Sequence, residues 1–160
     1  MESTGPSAPM EEQTIKLTQM DIKCQFSSET RDRNLIIFDG TGSAEVFFSY
    51  KAHLVDVGKL LVALQTGKKT KEEVIETIRK SLVYCMKAGE RMVLNCGKIA
   101  PDFTGLLNTA GSFPSDLVFN RQEWKKEANY MKVVRDDENI DLMGNRNCYM
   151  MNSRFYIVVL

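Results

Sequence analysis

The chain has 160 residues, of which 43% are hydrophobic, and its 21 basic residues balance its 21 acidic residues. This length suits one domain with an ordinary hydrophobic core. A formal net charge of zero gives no long-range field that would draw the chain to nucleic acid or to an anionic membrane, so neither partner is expected.

The cysteines and the amino terminus indicate a cytoplasmic protein. The four cysteines include no Cys-x-x-Cys pair, and His53 is the single histidine, so we expect reduced thiols and no zinc site. Residues 1–14 are rich in Ser, Pro, Gly and Glu, without the apolar core of a signal peptide, and are predicted to be a disordered tail. Residues 15–160 are predicted to form one domain, and no apolar run approaches the ~18 residues of a membrane span.

The first elements surround a glycine-containing turn. Residues 15–26 alternate between apolar and polar in two registers, which predicts a strand with a bulge. Residues 35–38 form a continuous apolar run, typical of a strand buried on both faces of a parallel sheet. The turn at residues 39–45 follows, and residues 46–52 fit either a short helix or a second strand.

The middle of the chain carries the strongest helix signal. Residues 52–57 are a candidate strand, and residues 59–67 indicate a short helix. A longer helix is predicted over residues 70–88, because Thr70 and Glu73 have the spacing of a capping box. Its apolar stripe comprises Val74, Ile75, Ile78, Leu82, Cys85 and Met86, and Gly89 suits the left-handed helix end.

The last third of the chain is less regular. A short buried strand is predicted over residues 91–97, an irregular stretch over 106–119, a short helix over about 122–131, a polar turn-rich stretch over 136–147, and an apolar strand over 154–160. Strands that alternate with helices predict an α/β fold, a three-layer sandwich with a mainly parallel sheet.

The turn after the first apolar run has the outline of a phosphate-binding loop. Such a loop presents backbone N–H groups to phosphate, with a lysine and a Ser or Thr at its end. The corresponding residues here are Asp39, Gly40, Thr41, Gly42, Ser43, Ala44 and Glu45. Glu45 stands in place of the lysine, and two unit charges ~4 Å apart interact by about 4 kcal/mol at an effective dielectric near 20. Ordinary Mg-ATP binding is therefore not expected, and a plain strand-to-helix turn is the alternative.

The residues that would hold magnesium and position water are also missing. The second buried strand ends in Asn95-Cys96-Gly97-Lys98, and the next carboxylate is Asp102. One further alternative is an enzyme of unrelated chemistry, in which Lys98 lowers the pKa of Cys96. A buried, inert thiol is the simpler interpretation of the same cysteine.

The segment NLIIFDGTGSAEVFFSY, residues 34–50, resembles the degenerate phosphate loop of the fifth AAA+ unit of dynein heavy chains. In that family an apolar strand leads into Asp-Pro-Gln-Gly-Gln-Ala-Asn and then into a helix. Asp39, Gly42 and Ala44 match in order, while Gly40 replaces the proline. A similar segment occurs in proteins that combine IQ motifs with ankyrin repeats.

Two later blocks extend the resemblance over roughly residues 34–160. The segment from 78 to 107 is similar to the dynein pattern of a leucine-bearing helix, a Gly, an apolar strand, a Pro and a Leu-Leu pair. NCYMMNSRFYIVVL, residues 147–160, is similar to the dynein segment Tyr-x-Pro-x-Phe-Arg-x-Tyr-Ile. Asn152 stands where that segment has proline.

The resemblance implies a P-loop NTPase fold of the AAA+ type with strand order 5-1-4-3-2. Strands 1 to 4 would be residues 35–38, 54–57, 92–94 and 155–160. The sequence ends at strand 4, so the fold is expected to be incomplete at its carboxyl terminus. One edge of strand 1 would then be free unless residues 15–26 pair with it, which is a hypothesis.

The function implied is that of a non-catalytic, dynein-like P-loop domain acting as a structural or protein-interaction module. The alternative is nucleotide binding without hydrolysis, through backbone N–H groups of the loop. We expect no cofactor, no catalytic residue and no metal site. The expected partner is an unidentified protein, which family analogy would place in the cytoskeleton or the cilium.

Overall fold

The computed structural model describes residues 13–160, so the predicted tail of residues 1–14 lies almost wholly outside the described residues. Its sheet has four strands, β1 (Leu35–Ile36), β2 (His53–Asp56), β3 (Arg91–Asn95) and β4 (Tyr156–Val159). The strand order is β1-β4-β3-β2, and every neighbouring pair is parallel. The α/β class and the parallel sheet are confirmed, and the order equals the one that the resemblance implied for these four strands.

Helices follow most of the strands. The α-helices are α1 (Met20–Gln25), α2 (Ser43–Lys51), α3 (Val57–Gln65), α4 (Lys71–Ala88), α5 (Ser115–Val118), α6 (Arg121–Trp124) and α7 (Glu127–Tyr130). Short 3₁₀ turns lie at Leu17–Gln19 and Met131–Val133, and a π-helical turn lies at Phe26–Thr30. The open alternative for residues 46–52 is thus settled as a helix, and the helix predicted over 122–131 is divided between α6 and α7.

Helices pack on both faces of the sheet. In β3, the side chains of Met92 and Leu94 join the cluster formed with α3, α4 and the segment that follows β3. Val93, between them, joins the cluster formed with α1 and α2 on the opposite face. This alternation is the period-two pattern of a strand that is covered on both sides.

The strand predicted for residues 15–26 is wrong, because this segment is helical. Met20 and Cys24 are four residues apart, so a helix turns both toward the sheet, and both are buried. Ile22, which a strand would have placed on the same side, is 72% exposed. Residues that alternate every two positions include pairs four positions apart, such as Met20 and Cys24, and this spacing also fits one face of a helix. The apolar pattern of residues 15–26 therefore fits a strand and a helix equally well. The hypothesis that this segment pairs with β1 is therefore also wrong.

The first strand is shorter and more exposed than its apolar run predicts. Only Leu35 and Ile36 have strand geometry, and β1 lies at the edge of the sheet. Leu35 and Ile37 pack against the cluster that contains α2. Ile36 is 53% exposed and Phe38 is 84% exposed on the other face. An apolar run indicates a strand, but it does not show whether both faces of that strand are covered.

Helix α4 forms as its sequence predicts. The Thr70 hydroxyl accepts a hydrogen bond from the Glu73 N–H at 3.2 Å, and the Glu73 carboxylate accepts one from the Thr70 N–H at 2.7 Å. Gly89 ends the helix with a φ of 71°. The N–H of Asn152 donates to the carbonyl of Met86 at 2.8 Å, so the same helix end positions the start of β4.

A buried arginine in α4 holds the segment that follows α7. Arg79 is 1% exposed, and its guanidinium donates to the carboxylates of Glu76 and Glu138 and to the carbonyl of Val133. Burial alone would raise the pKa of Glu138, but the hydrogen bonds from Arg79 and from the Arg135 N–H outweigh it and lower that pKa. A buried charge held by this many partners is stable only while all of them remain.

We predict that Gly89→Ala destabilises the protein by more than Gly67→Ala does. Both glycines have positive φ, 71° and 69°, so both substitutions carry the left-handed penalty of about 1 kcal/mol. A Cβ at Gly89 would also lie 2.5 Å from the side chain of Asn152, whereas nothing lies within 4 Å of one at Gly67. Urea unfolding measures the difference, which we expect to be about 1 kcal/mol or more. An equal decrease in the free energy of unfolding for the two variants would contradict the prediction, because it would show that the Asn152 side chain makes room for the added Cβ at no cost.

Candidate functional site

The seven residues predicted to form a phosphate loop lie in one turn between β1 and α2. Gly42 precedes α2 with a φ of 78°, a left-handed conformation that suits glycine. Ser43 begins the helix, and Ala44 is buried against the sheet. The turn therefore presents the first N–H groups of a nine-residue helix at the end of a strand, as a phosphate loop does.

The carboxylate of Asp39 binds one N–H group of the helix start, that of Ala44, and one of the turn before it, that of Thr41. One carboxylate oxygen accepts from the Thr41 N–H at 2.8 Å and from the Thr41 hydroxyl at 2.7 Å. The other accepts from the Ala44 N–H at 2.7 Å. Hydrogen bonds from the Thr41 hydroxyl and from the Ala44 and Thr41 N–H groups lower the pKa of Asp39. The protein's own carboxylate thus lies where an anionic ligand would meet the helix.

Glu45, which stands at the lysine position of the phosphate-loop pattern, does not contact the backbone N–H groups of the turn. It is exposed, and among the described residues it has no side-chain hydrogen bond or ion pair. It contributes negative charge near the turn, but Asp39 holds the backbone N–H groups. The sequence carried a signal for this, because an Asp two residues before a Thr is typical of a turn in which the carboxylate accepts from the backbone.

The remaining polar groups of the turn also bond within it. The Thr41 hydroxyl lies 2.9 Å from the Ser43 hydroxyl and accepts from the Ser43 N–H at 3.2 Å. Gly40 and Gly42 both have open space where a Cβ would lie, so neither glycine is required by a close neighbour. The turn is a closed set of internal hydrogen bonds exposed to solvent.

The end of β3 offers no carboxylate. The Asn95 side chain accepts from the Gly97 N–H at 3.1 Å and thereby shapes the turn that follows the strand. The Cys96 N–H donates to the carbonyl of Leu160 at 2.7 Å. Burial raises the pKa of the Cys96 thiol to about 11, which agrees with the simpler interpretation of a buried, inert thiol, whereas the alternative of a pKa lowered by Lys98 is wrong. A thiol with this pKa is almost wholly protonated at neutral pH.

Other acidic residues serve their own turns. Asp102, in the sequence DFTG, accepts from the N–H groups of Gly105 and Leu106 at 2.8 and 3.2 Å. Residues 13–160 contain no group of three or more His, Cys, Asp or Glu side chains placed to hold a metal ion. Within the same range, no helix is long and apolar enough to cross a membrane.

An open groove of about 1590 Å³ runs along the free edge of β1, and we call it the edge groove. Its lining includes Met20, Ile36, Phe38, Phe103, Phe119 and Arg121. The helical segment before β1 forms one wall, on the face of the sheet covered by α1 and α2. The residues around Phe103 and Phe119 form the other wall, on the opposite face. Sequence reasoning predicted a free edge here but not a groove.

Asp32 connects one end of the edge groove to α6. Its carboxylate accepts hydrogen bonds from Arg121, Gln122 and Lys125. Next to it, Asn34 accepts from the Ile157 N–H at 3.1 Å and donates to the carbonyl of Phe119 at 3.3 Å. These bonds fix the start of β1 against β4 and connect it to the wall that contains Phe119.

Comparison of the chain with protein-family models, with curated proteins and with solved structures found no match. The resemblance to the dynein unit therefore stays a prediction from the sequence.

We predict that Asp32 contributes to stability only above its own titration range. Burial would raise the pKa of Asp32, but the hydrogen bonds from Lys125 and Arg121 outweigh it and lower the pKa to about 2, from an ordinary 3.8. The contribution of Asp32 to the free energy of unfolding is complete above the ordinary pKa of 3.8, and it is lost as the pH falls toward the lowered pKa of about 2.

Urea unfolding at about pH 5 and about pH 2.5 measures this loss. The wild type should lose about 1 kcal/mol more than Asp32→Asn between these conditions, a value that allows for partial exposure of the pair. Asp137→Asn is the matched control, since Asp137 is exposed and has no side-chain hydrogen bond among the described residues. Identical pH dependence in wild type and Asp32→Asn would contradict the prediction.

Proposed function

We propose that this chain is a non-catalytic P-loop-like domain, similar to the fifth AAA+ unit of dynein heavy chains, that serves as a structural or protein-interaction module. The observation that supports it is the Asp39 carboxylate bound to the N–H groups of Thr41 and Ala44. A phosphate would have to displace this carboxylate, and it would then lie beside two negative side chains, Asp39 and Glu45.

The lack of hydrolysis machinery supports the same proposal. The tip of β3 provides an amide and a buried thiol, Asn95 and Cys96, where a hydrolase of this class needs a carboxylate for magnesium and water. A lysine for the β and γ phosphates is also missing, because Glu45 occupies that position. We propose accordingly that the module has no cofactor and no catalytic residue.

Exposed apolar side chains, rather than the turn after β1, support an interaction with another protein. Two exposed apolar side chains, Ile36 and Phe38, lie on β1 and just after it, and α2 separately exposes Val46 and Tyr50, which are 60% and 85% exposed. Exposed apolar side chains of this size are typical of protein-binding surfaces. By family analogy the partner is a cytoskeletal protein, in the cytoplasm or in a cilium.

Nucleotide binding without hydrolysis remains the second candidate. The observation in its favour is exposure, because Thr41, Gly42 and Ser43 all lie at the surface, where a ligand has access to them. For this function Asp39 would have to turn away from the helix and release the N–H groups of Thr41 and Ala44.

We predict that millimolar Mg-ATP or Mg-ADP leaves the melting temperature unchanged within about a degree. A ligand raises the melting temperature only when its concentration exceeds its dissociation constant. Differential scanning fluorimetry measures the effect, with an amide titration spectrum of residues 40–46 as the second readout. A shift of several degrees, together with amide changes confined to this turn, would favour the second candidate.

We further predict that Glu45→Lys alone does not create a phosphate site, because Asp39 still occupies the N–H groups. The double variant Asp39→Gly with Glu45→Lys should bind inorganic pyrophosphate at least about tenfold more tightly than Glu45→Lys. Asp39→Gly with Glu29→Lys is the matched control, since it has the same net charge without a lysine at the turn. If Glu45→Lys alone binds as tightly as the double variant, Glu45 rather than Asp39 is the obstacle.

A further inference from the structure

We infer that the free edge of β1 docks an extended, acidic segment of a partner protein, which adds to the sheet as a fifth strand next to β1. This inference rests on the proposed function, since it names the surface and the kind of partner that an interaction module would use. Backbone geometry, exposed side chains, groove shape and charge support it separately.

The backbone of β1 presents unused hydrogen-bonding groups. Ile37 donates to the carbonyl of Val159 in β4 at 2.8 Å, and Leu35 is in register with Val158. Backbone groups of alternate residues point to opposite sides of a strand, so the N–H and C=O of Ile36 point away from β4. Among the described residues, no strand pairs with β1 on that side. An unpaired edge of this kind is a template for another strand.

The side chains at this edge are apolar and uncovered. Ile36 and Phe38 project from the same face of β1, while Leu35 and Ile37 pack on the other face. Phe103 and Phe119 form a T-shaped pair, 5.1 Å between ring centroids, in the wall on the side of Ile36 and Phe38. A strand laid beside β1 would place every second side chain against these residues, which selects apolar residues at alternate positions.

The shape of the edge groove suits a chain rather than a small molecule. At about 1590 Å³ it exceeds the ~300–1,000 Å³ of typical small-molecule pockets. Its two walls rise on opposite faces of the sheet, so an extended peptide would fit between them in the plane of the sheet.

Charge selects an acidic segment. The basic side chains of the edge groove are Lys23, Arg31, Arg33 and Arg121, and the acidic ones are Asp32 and Asp39. Asp32 is paired with Arg121, and Asp39 is bonded to the turn, so the basic excess of the groove rests on Lys23 and Arg33, both of which are exposed. The groove thus has a basic excess in a chain of zero net charge, which favours acidic partners through electrostatic complementarity.

A short synthetic peptide in which Glu alternates with Val or Ile tests the inference on the full chain. We expect binding in which the amide hydrogens of Ile36 and Phe38 exchange more slowly, because they gain acceptors, while that of Ile37 is unchanged. The same peptide with Lys in place of Glu should bind about tenfold more weakly. The same peptide with N-methyl groups on the alternate residues that face β1 should not bind, since its donors are removed.

Protein variants separate strand addition from simple apolar contact. Ile36→Pro removes the outward N–H and leaves the bonds between β1 and β4, so the melting temperature should hold while affinity falls at least about tenfold. Ile36→Val is the matched control, since it keeps the N–H and an apolar side chain, and its affinity should stay within about threefold. Phe38→Ser, at a side chain that packs on nothing buried, provides a second variant if Ile36→Pro does not fold.

Several results would overturn the inference. They are no binding of the Glu peptide, equal affinity for the Glu and Lys peptides, or binding without slower exchange at Ile36. Slow amide exchange at Ile36 in the protein alone would also overturn it, because another segment would then occupy the edge. That segment is residues 1–12 if their removal restores fast exchange, and a second copy of the chain if dilution restores it. If the peptide tests fail and Mg-ATP leaves the melting temperature unchanged, the docking site is wrong and the non-catalytic proposal stands. If the peptide binds as expected but Mg-ATP raises the melting temperature by several degrees, the docking site stands and the non-catalytic proposal is wrong.

Discussion

The carboxylate of Asp39 determines both the structure and the chemistry of the turn after β1. Its bond to the Ala44 N–H satisfies one of the donors that a helix leaves unpaired at its start, and its bond to the Thr41 N–H shapes the turn before the helix. They also fix α2 over the sheet, where Ala44 and Phe48 are buried. In a nucleotide-binding loop the ligand supplies that negative charge. Here the chain supplies it, so the strand, the turn and the helix are complete without a ligand.

The turn follows a short strand that lies at the edge of the sheet. Because β1 is the edge strand, no described strand pairs with the outer row of its backbone groups, and two apolar side chains, Ile36 and Phe38, are exposed there. The helical segment before β1 lies on one face of the sheet, where Asp21 pairs with Arg91 at 2.7 Å, and so it does not cover the edge. The edge groove is the space between this segment and the wall around Phe119.

Local signals predicted the elements that depend on local interactions. The capping box and the apolar stripe predicted α4 within one residue at its start, and apolar runs located β2, β3 and β4. The segment before β1 was mistaken for a strand, because Met20 and Cys24 satisfy both periodicities and only contact with the sheet distinguishes them. In the turn, residue types predicted the strand-to-helix connection but not the role of Asp39, which depends on where its carboxylate points. Arg79 was missed because its partner Glu138 is distant in sequence.

The contrast between the turn and the edge explains why binding is expected at one and not at the other. A backbone N–H that already has an ionised acceptor gains little from a new one, because the new bond replaces an existing bond and adds repulsion between like charges. An N–H that faces water at a sheet edge exchanges a hydrogen bond to water for one to a strand, and the partner also buries apolar surface from Ile36 and Phe38. Net free energy of binding is therefore available at the edge of β1, although the phosphate-loop outline draws attention to the turn beside it.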